Sequence, residues 1–260
     1  MNPMRETGGR ERPREWRLVG LSENDAFTNM AIDEAVSESV RAGGPPTIRF
    51  YAWKPSAVSI GYFQSLEKEV DAAACAGAGV DIVRRRTGGG AVYHDQDGEI
   101  TYSVIAREEL FPKDIIASYH VICGWVVDSL SILGIRSEFR PINDIIAGGK
   151  KISGNAQTRR QGVLLQHGTI LHSVDVGRMF SLLKVPDEKI RDKMIATVKE
   201  RVTSVDAQCG AGKDELYRAL VKGFTEGKDF KEGALTEEEL SRAGALASAR
   251  YRSAEWNRMR

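Results

Sequence analysis

A chain of 260 residues with 42% apolar content can bury a sizeable core, and its 37 Lys and Arg against 36 Asp and Glu leave a net charge of +1, which argues against a broad electrostatic field for nucleic acid or membrane and leaves recognition to local sites. No uninterrupted apolar run approaches the ~20 residues that a bilayer demands, and the first fifteen residues are charged where a signal peptide would be apolar, so a cytoplasmic location is expected. The three cysteines, Cys75, Cys123 and Cys209, are widely spaced with no CxxC pair, which argues against a disulfide framework or zinc knuckle. Residues 1–15 carry Arg5, Arg10, Arg12 and Arg14 among Gly and Pro and read as a flexible tail, because almost nothing in them offsets ordering entropy by burial. From Asp25, the spacing of Phe27, Met30, Ala31, Ala35 and Val40 predicts a helix that stops at Gly43-Gly44-Pro45. Thr47–Trp53, Ala57–Tyr62, Val80–Arg84 and Glu99–Ile105 are β-branched or aromatic runs set off by Gly or Pro and predict strands.

Between Asp114 and Leu133, the residues Ile116, Tyr119, Cys123, Val127 and Leu130 mark one face of a long helix that Gly134 can end. Strands are expected over Asp144–Val174, with a hairpin at Gly148-Gly149 and a strand from Val163 to Leu171 after a Gln161-Gly162 turn. Mainly helices follow: Pro186 suits a first helical turn, and Thr236 with Glu239 makes a capping box before Leu240 and Leu246. The expectation is a mixed α/β (α+β) fold in which one mixed β-sheet carries packed helices. Residues 16–260 are expected to form one domain, with about 205–260 mainly helical.

Two segments carry chemistry. In Arg84-Arg85-Arg86-Thr87-Gly88-Gly89-Gly90-Ala91-Val92-Tyr93-His94-Asp95, three glycines remove every Cβ, so the amides can approach an anion while the arginines supply charge and bidentate donors. The segment is neither a Rossmann fingerprint nor a P-loop, since it lacks GxGxxG spacing and any GKS or GKT. In Asn143-Asp144-Ile145-Ile146-Ala147-Gly148-Gly149-Lys150-Lys151-Ile152-Ser153-Gly154, a hairpin lysine followed by small residues can set an ammonium against a phosphoryl group and a carboxylate together. Asp144 is the candidate metal ligand, although an Asn-Asp pair more commonly shapes a turn.

Together with Gln166-His167-Gly168-Thr169-Ile170-Leu171, Asn29-Met30-Ala31-Ile32-Asp33-Glu34 and Glu255-Trp256-Asn257, these segments resemble the lipoate-protein ligases of the biotin and lipoate ligase superfamily. The resemblance covers nearly the whole chain apart from the tail. It implies a fold like that of class II tRNA synthetases, and an enzyme that uses ATP and Mg²⁺ to form lipoyl-AMP and then acylates a lysine of a lipoyl-domain carrier. Acceptors of the 2-oxoacid dehydrogenase E2 or glycine cleavage H protein type are implied, with lipoate or octanoate as the acid. Carried over residue by residue, the resemblance places Arg85, Gly90, Ala91, Val92, Tyr93 and Lys151 at ATP. It places Lys151, His167 and Gly89 at lipoate, with Lys151 as the catalytic residue touching both substrates. Larger ligases of the family continue into an accessory domain, whereas this chain ends at Arg260, so a separate accessory protein is an expected partner.

The superfamily also contains octanoyltransferases, which hold the acyl group as a thioester on cysteine without ATP. In the long type the nucleophile lies in an insertion just before the lysine motif, but here Pro141-Ile142-Asn143-Asp144 leads straight into the hairpin. In the short type it lies well after that motif, where only Cys209 is available. Ligase is therefore ranked first and octanoyltransferase second. A non-enzymatic phosphate or nucleic-acid module comes third, lacking a basic stripe with interleaved aromatics. The GRGRxGR loop of biotin ligases is absent, and no GxSxG elbow supports a serine triad.

Overall fold

The computed structural model describes residues 15–184 and 188–260; nearly all of the expected tail, and Pro186, lie outside the described residues. The strands are β1 (Trp16–Asn24), β2 (Thr47–Trp53), β3 (Ala57–Ile60), β4 (Asp81–Arg84), β5 (Val92–His94), β6 (Glu99–Arg107), β7 (Ser137–Arg140), β8 (Asp144–Ala147), β9 (Lys150–Arg160), β10 (Val163–Leu171) and β11 (Phe230–Glu232). The helices are α1 (Ala26–Arg41), α2 (Leu66–Glu69), α3 (Ala72–Gly77), α4 (Ile115–Ile132), α5 (Val176–Leu182), α6 (Glu188–Arg201), α7 (Val205–Cys209), α8 (Lys213–Thr225), α9 (Glu237–Leu246) and α10 (Ala254–Asn257). The mixed α+β class is as expected, but there are two sheets where one was read. Eight strands run in the order β11-β1-β2-β6-β10-β9-β8-β7, and β4-β3-β5 form a separate three-stranded sheet. Pro55, which has no N–H to give a ladder, separates β2 from β3 and lets the chain leave the large sheet.

The large sheet separates two cores by side-chain alternation. Ile48 and Phe50 of β2, with Ile100, Tyr102 and Val104 of β6, face α4 and α8. Tyr51, Trp53, Ile105, Val163 and Leu165 face α1 and α9 on the other side. Helix α4 has a mean hydropathy of 1.5 over 18 residues, enough by length and composition to span a bilayer. Here its Tyr119, Ile122, Cys123, Val126 and Leu130 are buried in the core. Asp25 and Asp114 cap α1 and α4 by accepting from Thr28 N at 2.8 Å and Ala117 N at 2.7 Å. The capping box at Thr236 and Glu239 forms as expected, although only Leu246 of its two leucines is buried.

Four strands escaped the sequence reading. β1 bulges between Val19 and Ser22, which breaks its alternation. β11 consists of three exposed residues, held by parallel pairing to β1. β5 and β7 span three and four residues, too few for a periodic signal.

Two glycine substitutions should change stability in opposite directions. A Cβ on Gly223 in α8 would lie 2.2 Å from Ser129 Oγ and 2.7 Å from Ser129 N on α4, whereas one on Gly244 in α9 meets nothing within 4 Å. Gly223→Ala should therefore cost about 1–3 kcal/mol in urea unfolding through overpacking. Gly244→Ala should add about 0.5–1 kcal/mol by reducing the freedom of the unfolded chain. Equal effects would show that α4 and α8 do not pack this closely.

Candidate functional site

A furrow lies on the α1 side of the large sheet, where β9 and β10 run antiparallel with Gly154 opposite Thr169, Ala156 opposite His167, Thr158 opposite Leu165 and Arg160 opposite Val163. Gly154, Ala156, His167 and Thr169 floor a cavity of about 350 Å³, within the range of small-molecule sites. Met30 of α1, Met179 of α5, and Val198 and Val202 at the end of α6 contribute apolar wall. The segment from Gly89 to Asp95 closes another side.

The arginine triplet that opens this segment divides its work. Arg84 is fully buried and donates to the carbonyls of Gly61, Tyr62, Gln64, Trp256 and Asn257, which ties α10 and the turn after β3 to β4. Arg85 is also buried, and its Nη1 donates to Ser59 O at 3.0 Å and Ser59 Oγ at 3.1 Å. Its Nη2 donates to Gly88 O at 2.8 Å and Gly90 O at 2.7 Å. Burial pulls the Arg85 guanidinium down to about 10, so it remains charged at neutral pH. It lines the cavity as expected, but its terminal nitrogens shape the glycine loop, which sequence reasoning did not foresee. Gly89 has a φ of +93°, and a Cβ on Gly61 would stand 2.0 Å from Gly89 O, so the loop needs glycine both for its own conformation and at its neighbour.

Lys151 also lines the cavity. A bulge between Ile145 and Ile146 shifts the β8–β9 register, and its Nζ pairs with Asp144 Oδ1 at 2.7 Å while half-exposed. Gly154 leaves room for it, since a Cβ there would approach Lys151 Nζ to 2.9 Å. Asp144 does not line the cavity, and among the described residues no group of three or more His, Cys, Asp or Glu could hold a metal. Its observed partner is the ammonium.

The residues expected from the resemblance thus converge: Arg85, Gly89, Gly90, Ala91, Val92, Tyr93, Lys151 and His167 all border one cavity. His167, however, is engaged by protein. Its Nε2 lies 2.7 Å from Thr87 Oγ1, and its Nδ1 lies 3.6 Å from Asp33 Oδ2. Asp33 is buried beneath it and accepts from Arg49 Nη1 at 2.9 Å and Ser103 Oγ at 2.7 Å. Burial pulls the imidazole below its ordinary range, with Asp33 opposing. Burial pushes Asp33 up, but the contact with His167 and the charge of Arg49 hold it below the usual carboxylate range.

Sequence reasoning missed a second buried chain at the cavity wall. Ser59 Oγ lies 2.8 Å from His94 Nε2, and His94 Nδ1 lies 2.7 Å from Glu99 Oε1, with His94 stacked on Trp53 at 3.9 Å. This assembles a Ser-His-Glu arrangement where no triad was expected. Ser59 sits mid-strand and also accepts from Arg85, so the chain braces the arginine that shapes the loop. Nothing in an apolar strand marks Ser59 in advance.

None of the three cysteines borders this cavity. Cys75 and Cys123 are buried, and burial pushes their thiols up to about 11 and about 12. Cys209 is exposed and lies 3.5 Å from Val205 O within α7.

Several known proteins share this architecture. The lipoyl protein ligase A/B catalytic domain family matches residues 25–225. Octanoyltransferase LipM of Kyrpidia tusciae is 38% identical, covering 93% of this chain and 98% of its own, and that of Moorella thermoacetica is 37% identical over 94% and 98%. Lipoate-protein ligase A subunit 1 of Thermoplasma acidophilum is 39% identical over 94% and 96%. Among solved structures, the bi-partite lipoate protein ligase of Thermoplasma acidophilum superposes with a TM-score of 0.87 at 38% identity, covering 94% of this chain and 96% of its own. A lipoate-protein ligase A bound with ATP superposes with a TM-score of 0.81 at 36% identity, covering 94% and 98%. Fold and sequence together define an enzyme of lipoyl or octanoyl group transfer. The chain belongs to the lipoyl protein ligase A/B catalytic domain family.

The His167–Asp33 pair predicts a pH dependence of stability. His167 is depressed in the folded protein, so below its unfolded value of about 6.5 the unfolded chain binds more protons and stability falls with pH. Asp33, also depressed, adds loss in the same direction below about 3.9. The urea midpoint should therefore decline from pH 7.5 to pH 5, and His167→Gln should flatten that decline. A midpoint that is constant or rises on acidification in the unsubstituted protein would refute this role for the pair.

Proposed function

We propose that this chain is an ATP-dependent lipoate-protein ligase, which activates lipoic or octanoic acid as its adenylate and transfers the acyl group to a lysine of a lipoyl-domain carrier. The observation that carries this reading is the furnishing of the cavity: a half-exposed lysine and an arginine-held glycine loop border it, and no thiol does. A transferase that stores its acyl group on cysteine needs a thiolate against the acyl carbon, and burial keeps Cys75 and Cys123 protonated at neutral pH.

In the first step a carboxylate oxygen attacks the α-phosphorus of ATP, and the bond to diphosphate breaks. Lys151 would hold carboxylate and α-phosphate together and offset the charge that accumulates there, while Gly89 and Gly90, which border the cavity, would let the loop's backbone approach the phosphates. Asp144, outside the cavity and paired with Lys151, does not fit the magnesium ion that the resemblance implies, and no step runs through that ion. In the second step an unprotonated acceptor lysine attacks the acyl carbon, AMP leaves with the bonding electrons, and the amine loses a proton. The apolar wall contributes about 0.8 kcal/mol per buried methylene, which separates lipoate from octanoate poorly. A separate accessory protein is part of this reading, because the similar Thermoplasma ligase is described as bi-partite.

A second reading is octanoyl transfer from a carrier protein, and seven similar relatives named octanoyltransferase LipM favour it over the first. Its nucleophile would have to be Cys209, the exposed thiol.

Exchange of labelled diphosphate into ATP, dependent on added lipoate, separates the two readings. Lys151→Ala should lower that exchange about 100-fold, the worth of one preorganised charge at a phosphoryl transition state, whereas Lys150→Ala should change it little. If the chain alone shows no exchange but acylates a lipoyl domain from synthetic lipoyl-AMP, the accessory protein is required for activation. A trapped octanoyl thioester on Cys209, formed from an octanoyl carrier protein without ATP and lost in Cys209→Ser, would overturn the ligase in favour of the transferase.

A further inference from the structure

The furrow that holds the proposed acyl site continues along the sheet into a second cavity of about 310 Å³. On β10, His167 borders the first cavity and Leu165 the second; on β9, Ala156 borders the first and Thr158 the second. One two-residue step along a strand, about 7 Å, separates the two floors. The bridge from Thr87 through His167 to Asp33 stands at the boundary.

The second cavity is lined by Arg41, Arg86, Arg160 and Arg250, against only Glu34 and Glu38. In a chain whose net charge is +1, four guanidiniums facing one space of this size is a local concentration of positive charge, not the average surface. The carboxylates do not neutralise it. Glu34 is buried, and its Oε1 is shared by Arg86 Nη1 at 2.9 Å and Arg250 Nη1, while Oε2 accepts from Tyr251 OH at 2.7 Å. Glu38 is engaged from outside the cavity by both Nε and Nη2 of Arg242. Arg160 has Nη2 at 3.5 Å from Arg86 O and its guanidinium 4.7 Å from the centre of the Tyr62 ring, and Arg41 donates to Gln161. Two cations on one carboxylate oxygen repel each other, and an oxyanion between their remaining N–H groups would relieve that repulsion while accepting bidentate hydrogen bonds.

We infer that this arginine-lined cavity is a second binding site, distinct from the acyl cavity, for a phosphate-class anion. Inorganic diphosphate fits the charge and the space, and so do the terminal phosphates of a nucleotide; both present the same chemistry to the four arginines. The inference stands on the second cavity alone and does not depend on which acyl-transfer reaction the first cavity performs.

The test is calorimetric titration of the full chain with inorganic diphosphate, then with ATP and AMP. The unsubstituted protein should bind diphosphate more weakly as sodium chloride rises. Arg41→Gln combined with Arg160→Gln should weaken binding at least tenfold without lowering the melting temperature, and Arg140→Gln, an exposed arginine outside both cavities, should leave it unchanged. Arg160→Lys, which keeps the charge and loses the fork, should fall between. A matching loss of ATP binding in the double substitution, with AMP binding unaffected, would assign terminal phosphates to the cavity; loss of diphosphate binding alone would assign the free anion. Absence of diphosphate binding in the unsubstituted protein, full binding in the double substitution, or an equal loss in Arg140→Gln would overturn the site. So would tighter binding of polyglutamate than of diphosphate, since the occupant would then be a protein carboxylate.

Discussion

The carboxylate of Asp33 is the point on which the candidate site depends. It projects from α1 into the buried space beneath the furrow, where Arg49 of β2, Ser103 of β6 and His167 of β10 meet it. Arg49 also donates to Asn29 O at 3.2 Å on α1 and lies over the Tyr51 ring at 4.0 Å. A buried charge without its partner costs about 3–5 kcal/mol, so helix and strands cannot shift independently without exposing that penalty. Through His167 the constraint reaches Thr87, and hence the glycine loop. A loop rich in glycine would otherwise sample many conformations; here a charge on α1, reached through His167, restricts it.

Consecutive residues send this constraint to different places. Arg84, Arg85 and Arg86 are adjacent, yet the first fastens α10, the second shapes the loop, and the third meets Glu34. Asp33 and Glu34 divide in the same way on α1, one under each cavity. Helical and extended geometry turn neighbouring side chains in different directions, so a short charged run becomes several separate contacts instead of one basic patch. That explains how a chain with nearly balanced charge still concentrates arginine at chosen points.

The polar interior is asymmetric. Toward α4 and α8 the sheet presents Ile48, Phe50, Ile100 and Val104, and the core there is mainly apolar. Toward α1 the alternate positions of β6 are Thr101 and Ser103, and those of β10 include His167 and Thr169. Buried polar groups need partners, and on this face Thr101, Ser103 and His167 find them in Asp33, Glu99, Trp53 and Thr87. The same alternation that builds the core on one side builds a hydrogen-bonded frame around the cavity on the other.

Much of this was legible from sequence because it is local. Asp25 and Asp114 cap helices by reaching three residues ahead, Thr236 and Glu239 cap each other, and the bounds of β2 follow from a run of apolar residues. The glycine loop and Lys151 were readable as the chemistry-bearing segments because arginines and a Tyr-His-Asp run flank the triplet and small residues follow the lysine, and the structure brings them to one cavity. What the sequence could not decide is whom each polar side chain meets. Ser59, His94 and Glu99 come from three strands, Glu34 and Arg250 lie far apart in the chain, and β11 exists only because β1 offers it an edge. Such partners are fixed by sheet register and helix placement, which depend on the burial of the whole chain at once; only the tertiary structure turns Arg85 inward to the loop and gives His167 to Thr87.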